Sequence, residues 1–180
     1  METLQEQSDK IFQDVNNWFK INQLALNCNK TQYLHFNTKK SMDYSLKPNF
    51  KCNNIKISSQ TKFLGLIIDD TLSWMAHIDT NMFKLITACF AIRIIQHLMS
   101  TETLIRVYFA YVHSILSFGI IFWGNQPHSM KIFKLQERVI WIITQSRMRD
   151  SCTNLFNVLE TLLLYSQYIF SIFIFVLKSM

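Results

Sequence analysis

Residues 62–74 read Lys62-Phe63-Leu64-Gly65-Leu66-Ile67-Ile68-Asp69-Asp70-Thr71-Leu72-Ser73-Trp74, and the chain changes character within them. The segment from Lys62 to Ile68 is an apolar run of strand length broken by Gly65, where a strand interior gains little from a residue without a side chain. After Trp74 the apolar residues recur at helical spacing with no convincing strand alternation. The two adjacent aspartates raise a separate question. An apolar run ending in Asp69-Asp70 is a local pattern with which metal-dependent phosphoryl-transfer sites hold cations at a hairpin tip.

Outward from this stretch, the front of the chain combines a helix with short strands. Ile11, Val15, Trp18 and Phe19 repeat with charged and amide residues between them, which predicts an amphipathic helix over about 6–25, ending at the polar Asn27-Cys28-Asn29. Tyr33-Leu34-His35-Phe36 and Ile55-Lys56-Ile57 alternate as strands, with a lysine-rich stretch containing Pro48 between them. The back is helical, with helices expected at about 75–98, 101–117, 129–148 and 152–178. Ser100-Thr101-Glu102 supplies an N-terminal cap for the second of these, and the stretch from Gly119 to Pro127 interrupts before the third. The expected fold class is therefore α+β: a long N-terminal helix, a small antiparallel sheet containing 32–37 and 62–68, then an α-helical bundle. The expected segments are 1–73, a helical 74–150 and an apolar C-terminal helix in 151–180.

At 180 residues the chain can form a core, burying roughly 70% of its unfolded surface. A hydrophobic content of 49% with three Gly and two Pro argues against disorder and against a loop-rich sandwich. The net charge of +6 is uneven: residues 1–27 carry four acids and two bases, residues 28–62 seven lysines and one acid. A basic middle suits a polyanion partner, and equally a solvated loop-and-strand region. Cys28, Cys52, Cys89 and Cys152 are far apart, with no Cys-x-x-Cys and no secretory signal. Neither a zinc knuckle nor a disulfide framework is indicated, and free thiols in a reducing intracellular compartment, nucleus or cytoplasm, are expected. His35, His77, His97, His113 and His128 lack the spacing of a zinc-protease helix, so no metal ligand is assigned.

Five blocks carry a resemblance in order and spacing: W-F-K-I-N-Q-L-A-L-N-C-N-K-T-Q-Y-L-H-F from Trp18, K-F-L-G-L-I-I-D-D-T-L-S-W-M-A-H-I from Lys62, H-S-I-L-S-F-G-I-I-F-W-G from His113, I-F-K-L-Q-E-R-V-I from Ile132 and R-D-S-C-T-N-L-F from Arg149. Together they resemble non-LTR (LINE-type, jockey-like) retrotransposon reverse transcriptase over nearly the whole chain. The resemblance implies the end of the palm with its primer-grip hairpin, then the thumb, of an RNA-directed DNA polymerase. The family's paired catalytic aspartates stand in an F/Y-A-D-D hairpin ahead of the first block, and this sequence is expected to begin after it. Asp69 then fits the family's F-L-G-x-x-I-D-x-x-L-x-W, Asp70 falls at a variable position, and no residue is assigned to catalysis.

What the resemblance implies is nucleic-acid holding. Lys30 falls in the lysine-bearing palm motif, where an ammonium approaches a triphosphate or pyrophosphate. Lys62, Phe63, Leu64 and Gly65 correspond to the primer grip, or, on the residues alone, to a core strand with a packing glycine. Lys131, Lys134 and Arg138 fall at i, i+3 and i+7 of one helix, away from Ile132, Val139, Ile140 and Ile143, as a phosphate-following stripe or a solvated face. The implied partners are an RNA template and a DNA primer. Mg2+ is implied for the parent enzyme, and no cofactor is expected to be bound by these residues alone. Thr153 stands where the family carries arginine, which weakens nucleic-acid contact there. The uncharged tail between Glu160 and Lys178 leaves an alternative open: a small helical interaction protein, membrane-associated through its C-terminal helix.

Overall fold

In a computed structural model that describes residues 4–36, 55–147 and 151–180, Trp74 marks the change of character in the chain. By internal contacts the chain forms two units, Met1–Leu72 and Ser73–Met180. The class is mixed and helix-rich with little sheet, in agreement with an α+β reading.

In the first unit, helix α1 (Leu4–Ile21) precedes a turn organised by Asn27, whose carbonyl accepts from Lys30 N at 3.1 Å and from Thr31 N at 3.1 Å. Strand β1 (Gln32–Tyr33) pairs with β2 (Lys56–Ile57), and β3 (Gln60–Phe63) pairs with β4 (Leu66–Asp69). Two expectations are corrected here. One antiparallel sheet is replaced by two separate pairs, of which β1–β2 is parallel; the long connection between them permits the crossover that parallel pairing requires. Lys62 to Ile68 is two half-strands rather than one strand, because Leu64 and Gly65 both take positive φ and fold the run back on itself. Residue 37 and the lysines at 39, 40, 47 and 51 lie outside the described residues.

All buried apolar side chains among the described residues belong to the second unit. Its axis is the pairing of α2 (Met75–Ile95) with α6 (Ser129–Thr144), the most extensive helix contact in the chain. Ile78, Leu85 and Ile92 of α2 and Ile132, Val139, Ile140 and Ile143 of α6 are all essentially inaccessible to water. Each buried aliphatic side chain of this size contributes about 1.5–3 kcal/mol. Trp74 enters α2 with φ 58°, a conformation a non-glycine residue rarely takes, while its buried indole stacks on Phe122 with ring centroids 5.6 Å apart. The stacking and burial offset the backbone cost.

The expected helix over 101–117 is continuous but not uniform: α3 (Thr101–Val107) passes through a π-helical segment (Tyr108–His113) into α4 (Ser114–Ser117). Ser100 caps it as expected, its Oγ accepting from Thr103 N at 3.3 Å. A short α5 (Ile120–Trp123) fills part of the expected interruption, entered through Gly119 at φ 62°. Gly124 follows, and a Cβ there would meet the Ile120 carbonyl oxygen and a Tyr168 ring carbon, each at 2.7 Å.

The expected single helix over 152–178 is two, α7 (Cys152–Val158) and α8 (Leu164–Ser179). Gln136 supplies the reason. Its fully buried amide donates to Leu162 O at 2.9 Å and to Tyr108 Oη at 2.9 Å, while its Oε1 accepts from Leu164 N at 3.0 Å. These bonds flank Leu163, whose extended backbone lies just ahead of α8, and Glu160 at φ 50° closes the preceding turn. Tyr108 is itself buried, and desolvation pushes its phenol up to about 12.

Cys89 and Cys152 are buried free thiols, pushed up by desolvation, Cys152 to about 11. Cys28 is disulfide-bonded, which corrects the expectation of free thiols, since cysteine spacing does not reveal which residues the fold brings together. Cys52 lies outside the described residues.

His77, buried at the foot of α2, has its Nε2 3.1 Å from Asn81 Nδ2; because the amide nitrogen donates, the ring accepts and is neutral. Burial, and secondarily Lys84, hold its pKa below the ordinary 6.5. The unfolded chain then binds the extra proton more readily, so stability present above about pH 6.5 is lost as pH falls through the folded pKa. His77→Gln should flatten the fall in Tm between about pH 7.5 and 5; an unchanged slope would exclude His77 as its source. Gln136→Leu should lower stability by about 2–4 kcal/mol in urea denaturation, by orphaning Leu162 O, Leu164 N and Tyr108 Oη together.

Candidate nucleic-acid interface

The hairpin made by β3 and β4 presents its tip to water. Phe63 pairs with Leu66 across a two-residue loop, Leu64 at φ 46° and Gly65 at φ 88°. Positive φ at both loop positions is the signature of a type I′ turn, whose twist matches that of the flanking strands. Glycine meets that demand freely, whereas leucine is strained there. Lys62, Phe63, Leu64 and Gly65 are all exposed, Leu64 at 79%. The four residues form an apolar knuckle beside an ammonium rather than a core strand. Lys30 is exposed in the turn ahead of β1, on a different element from this knuckle.

Asp69 and Asp70 close β4 as neighbours in sequence. The Asp69 carboxylate accepts from Thr71 Oγ1 at 2.5 Å, and the Asp70 backbone N–H donates to Ser59 O at 2.9 Å. Among the described residues no three His, Cys, Asp or Glu side chains gather into a metal-holding group. Two-ion phosphoryl transfer needs carboxylates converging from separate elements, and this pair does not fit that requirement.

On α6, Lys131, Lys134 and Arg138 are exposed while Ile132, Gln136, Val139, Ile140 and Ile143 are buried, so the helix separates a basic outer face from its core face. The structure divides that stripe. Arg138 lines a cleft of about 300 Å³ with Arg93, Gln96 and His97 from the end of α2, and Trp141, Ile142, Gln145 and Ser146 from the end of α6. Lys131 and Lys134 do not line it. Arg93 escaped the sequence reading because it lies on another helix, roughly 45 residues upstream; only the α2–α6 packing brings it beside Arg138. An arginine at a helix end carries no spacing signal of its own, so the sequence offered no route to this partner.

The tail gives a second surface. Ile169, Phe170, Phe173, Phe175 and Leu177 of α8 are each more than half exposed. No helix among the described residues is long and apolar enough to cross a membrane. No family model, curated protein or solved structure matches this chain.

The knuckle has a direct test in the strain of Leu64. Leu64→Asn should stabilise the hairpin by about 1 kcal/mol, because asparagine tolerates the left-handed region that leucine resists. Denaturant titration checks this, and a destabilised variant would contradict the turn geometry.

Proposed function

We propose that this chain supplies nucleic-acid-holding elements of a non-LTR retrotransposon reverse transcriptase, with the end of the palm and its primer grip in the first unit and a thumb in the second. The observation that carries the reading is the hairpin tip: the K-F-L-G block, which the resemblance assigns to a primer grip, is an exposed tight turn rather than a buried strand. A tip of this shape can press on a sugar-phosphate backbone while Lys62 meets phosphate charge. The exposed basic face of α6 suits the thumb's share of the same work, and its contacts would carry no base sequence information. RNA template and DNA primer are the proposed partners. No residue of this chain is proposed for catalysis, and Mg2+ enters only as what the resemblance implies for the parent enzyme.

A second reading, a helical interaction protein that associates with membranes, draws on the exposed aromatic face of α8. At 16 residues the helix spans about 24 Å against a hydrocarbon core of about 30 Å, so it would lie along an interface.

The two readings separate on salt. Binding to an RNA–DNA hybrid should weaken linearly in log affinity against log salt, and Lys62→Gln should make that slope shallower by about 0.9. Primer extension with nucleotides and Mg2+ should not exceed a protein-free control. A folded chain that shows no salt-dependent binding, yet sediments with liposomes at high salt unless α8 is deleted, would overturn the polymerase reading in favour of the membrane one.

A further inference from the structure

The cleft between the ends of α2 and α6 has a chemistry that neither helix has alone. Arg93 and Arg138 line it from opposite helices, and both act electrostatically on the buried Cys89. Among the described residues neither guanidinium makes an ion pair or a side-chain hydrogen bond, and no carboxylate lines the cleft. Arg93 in the last turn of α2 also answers the dipole of its own helix. That explanation does not extend to Arg138, which stands in the interior of α6. Two unneutralised guanidiniums over one concave surface raise its positive potential, and a shared anion would relieve their mutual repulsion.

The remaining lining residues narrow the choice of anion. Trp141 is half-buried, offers the cleft an aromatic surface, and its indole N–H is buried with no hydrogen-bond partner. Gln96 and Gln145 add amides that both donate and accept. Arginines for a phosphate, an indole for a base and amides for a base edge together match a nucleotide. A volume of about 300 Å³ admits one nucleotide, and stacking on an indole needs a base whose face is not already covered by its neighbours, as in a single strand.

We infer that this cleft seats one nucleotide of a single-stranded nucleic acid, its phosphate between Arg93 and Arg138 and its base against Trp141. The inference rests on the nucleic-acid reading above and adds a place and a strand preference to it. It also shifts weight from Lys131 and Lys134 to a pair of arginines joined only by tertiary packing.

The test uses the full chain with fluorescently labelled oligothymidylate of about twelve nucleotides, followed by anisotropy across a salt series, with the same sequence as a duplex for comparison. Replacing both arginines (Arg93→Gln with Arg138→Gln) should weaken single-strand binding at least about tenfold at low salt and make the salt slope shallower by about 0.7. Trp141→Leu should weaken it roughly 5- to 100-fold with the slope unchanged, since stacking releases no counterions. Trp141→Phe should lose less, and serves in its place if the leucine variant is unfolded by circular dichroism. Lys131→Gln with Lys134→Gln should change single-strand affinity less than the arginine pair does. If the arginine and tryptophan variants bind as the parent does, the cleft is not the seat, while the nucleic-acid reading stands. If only the arginine variant is impaired, or duplex binds as well as single strand, the cleft is a phosphate contact and the nucleotide seat is wrong. If the parent chain shows no salt-dependent binding to either the oligonucleotide or the RNA–DNA hybrid, the underlying reading fails with it.

Discussion

A single buried amide organises the second unit. Gln136 lies on the core face of α6, where an unpaired amide would cost several kcal/mol, and each of its polar atoms is satisfied. Its partners come from three places: a phenol at the start of the π-helical segment, a carbonyl at Leu162 and an N–H at Leu164. The amide therefore ties two helical stretches and a non-helical connection to one point. That connection cannot join α7 and α8 into one helix while its backbone is bonded to Gln136. The position of α8 follows, and with it the close approach of Tyr168 to Gly124.

Around this point the unit is an apolar core with polar bonds placed at its seams. Gln167 is buried on α8 and donates to Ser117 Oγ at 2.6 Å; that hydroxyl in turn donates to the His113 carbonyl at 2.6 Å. Burial also holds the His113 pKa below its ordinary value, so this seam favours a neutral imidazole, as the His77–Asn81 contact does. The seams specify which helices meet, and the aliphatic residues of α2 and α6 supply most of the driving force.

The exposed surfaces of the two units, each taken by itself, are of two kinds. The basic outer face of α6 and the arginine cleft suit a polyanion, which needs charge and open access rather than burial. The apolar faces of α1, where Ile11, Val15 and Trp18 are exposed, and of α8 are more extensive than isolated surface hydrophobes. The hairpin tip combines both characters, with Phe63 and Leu64 beside Lys62. In each case the residues are held by elements whose own packing does not require them there.

Local rules made much of this readable from the amino acids. Helical spacing placed α1, α2, α6 and the long helical stretch from Thr101, and Ser100 was legible as a cap because capping depends on three or four neighbouring residues. The outward direction of Lys131, Lys134 and Arg138 followed from the same periodicity. What was not legible depended on residues far apart in sequence. The pairing of β1 with β2 in parallel and the break before α8 were decided by partners more than 20 positions away. So was the cleft: Arg138 could be read as one point on a stripe, but only the packing of α2 against α6 set Arg93 opposite it. Periodicity determines which face of a helix is buried; it contains no term for which other helix arrives there, because that choice is made by shape and hydrogen bonding across the core.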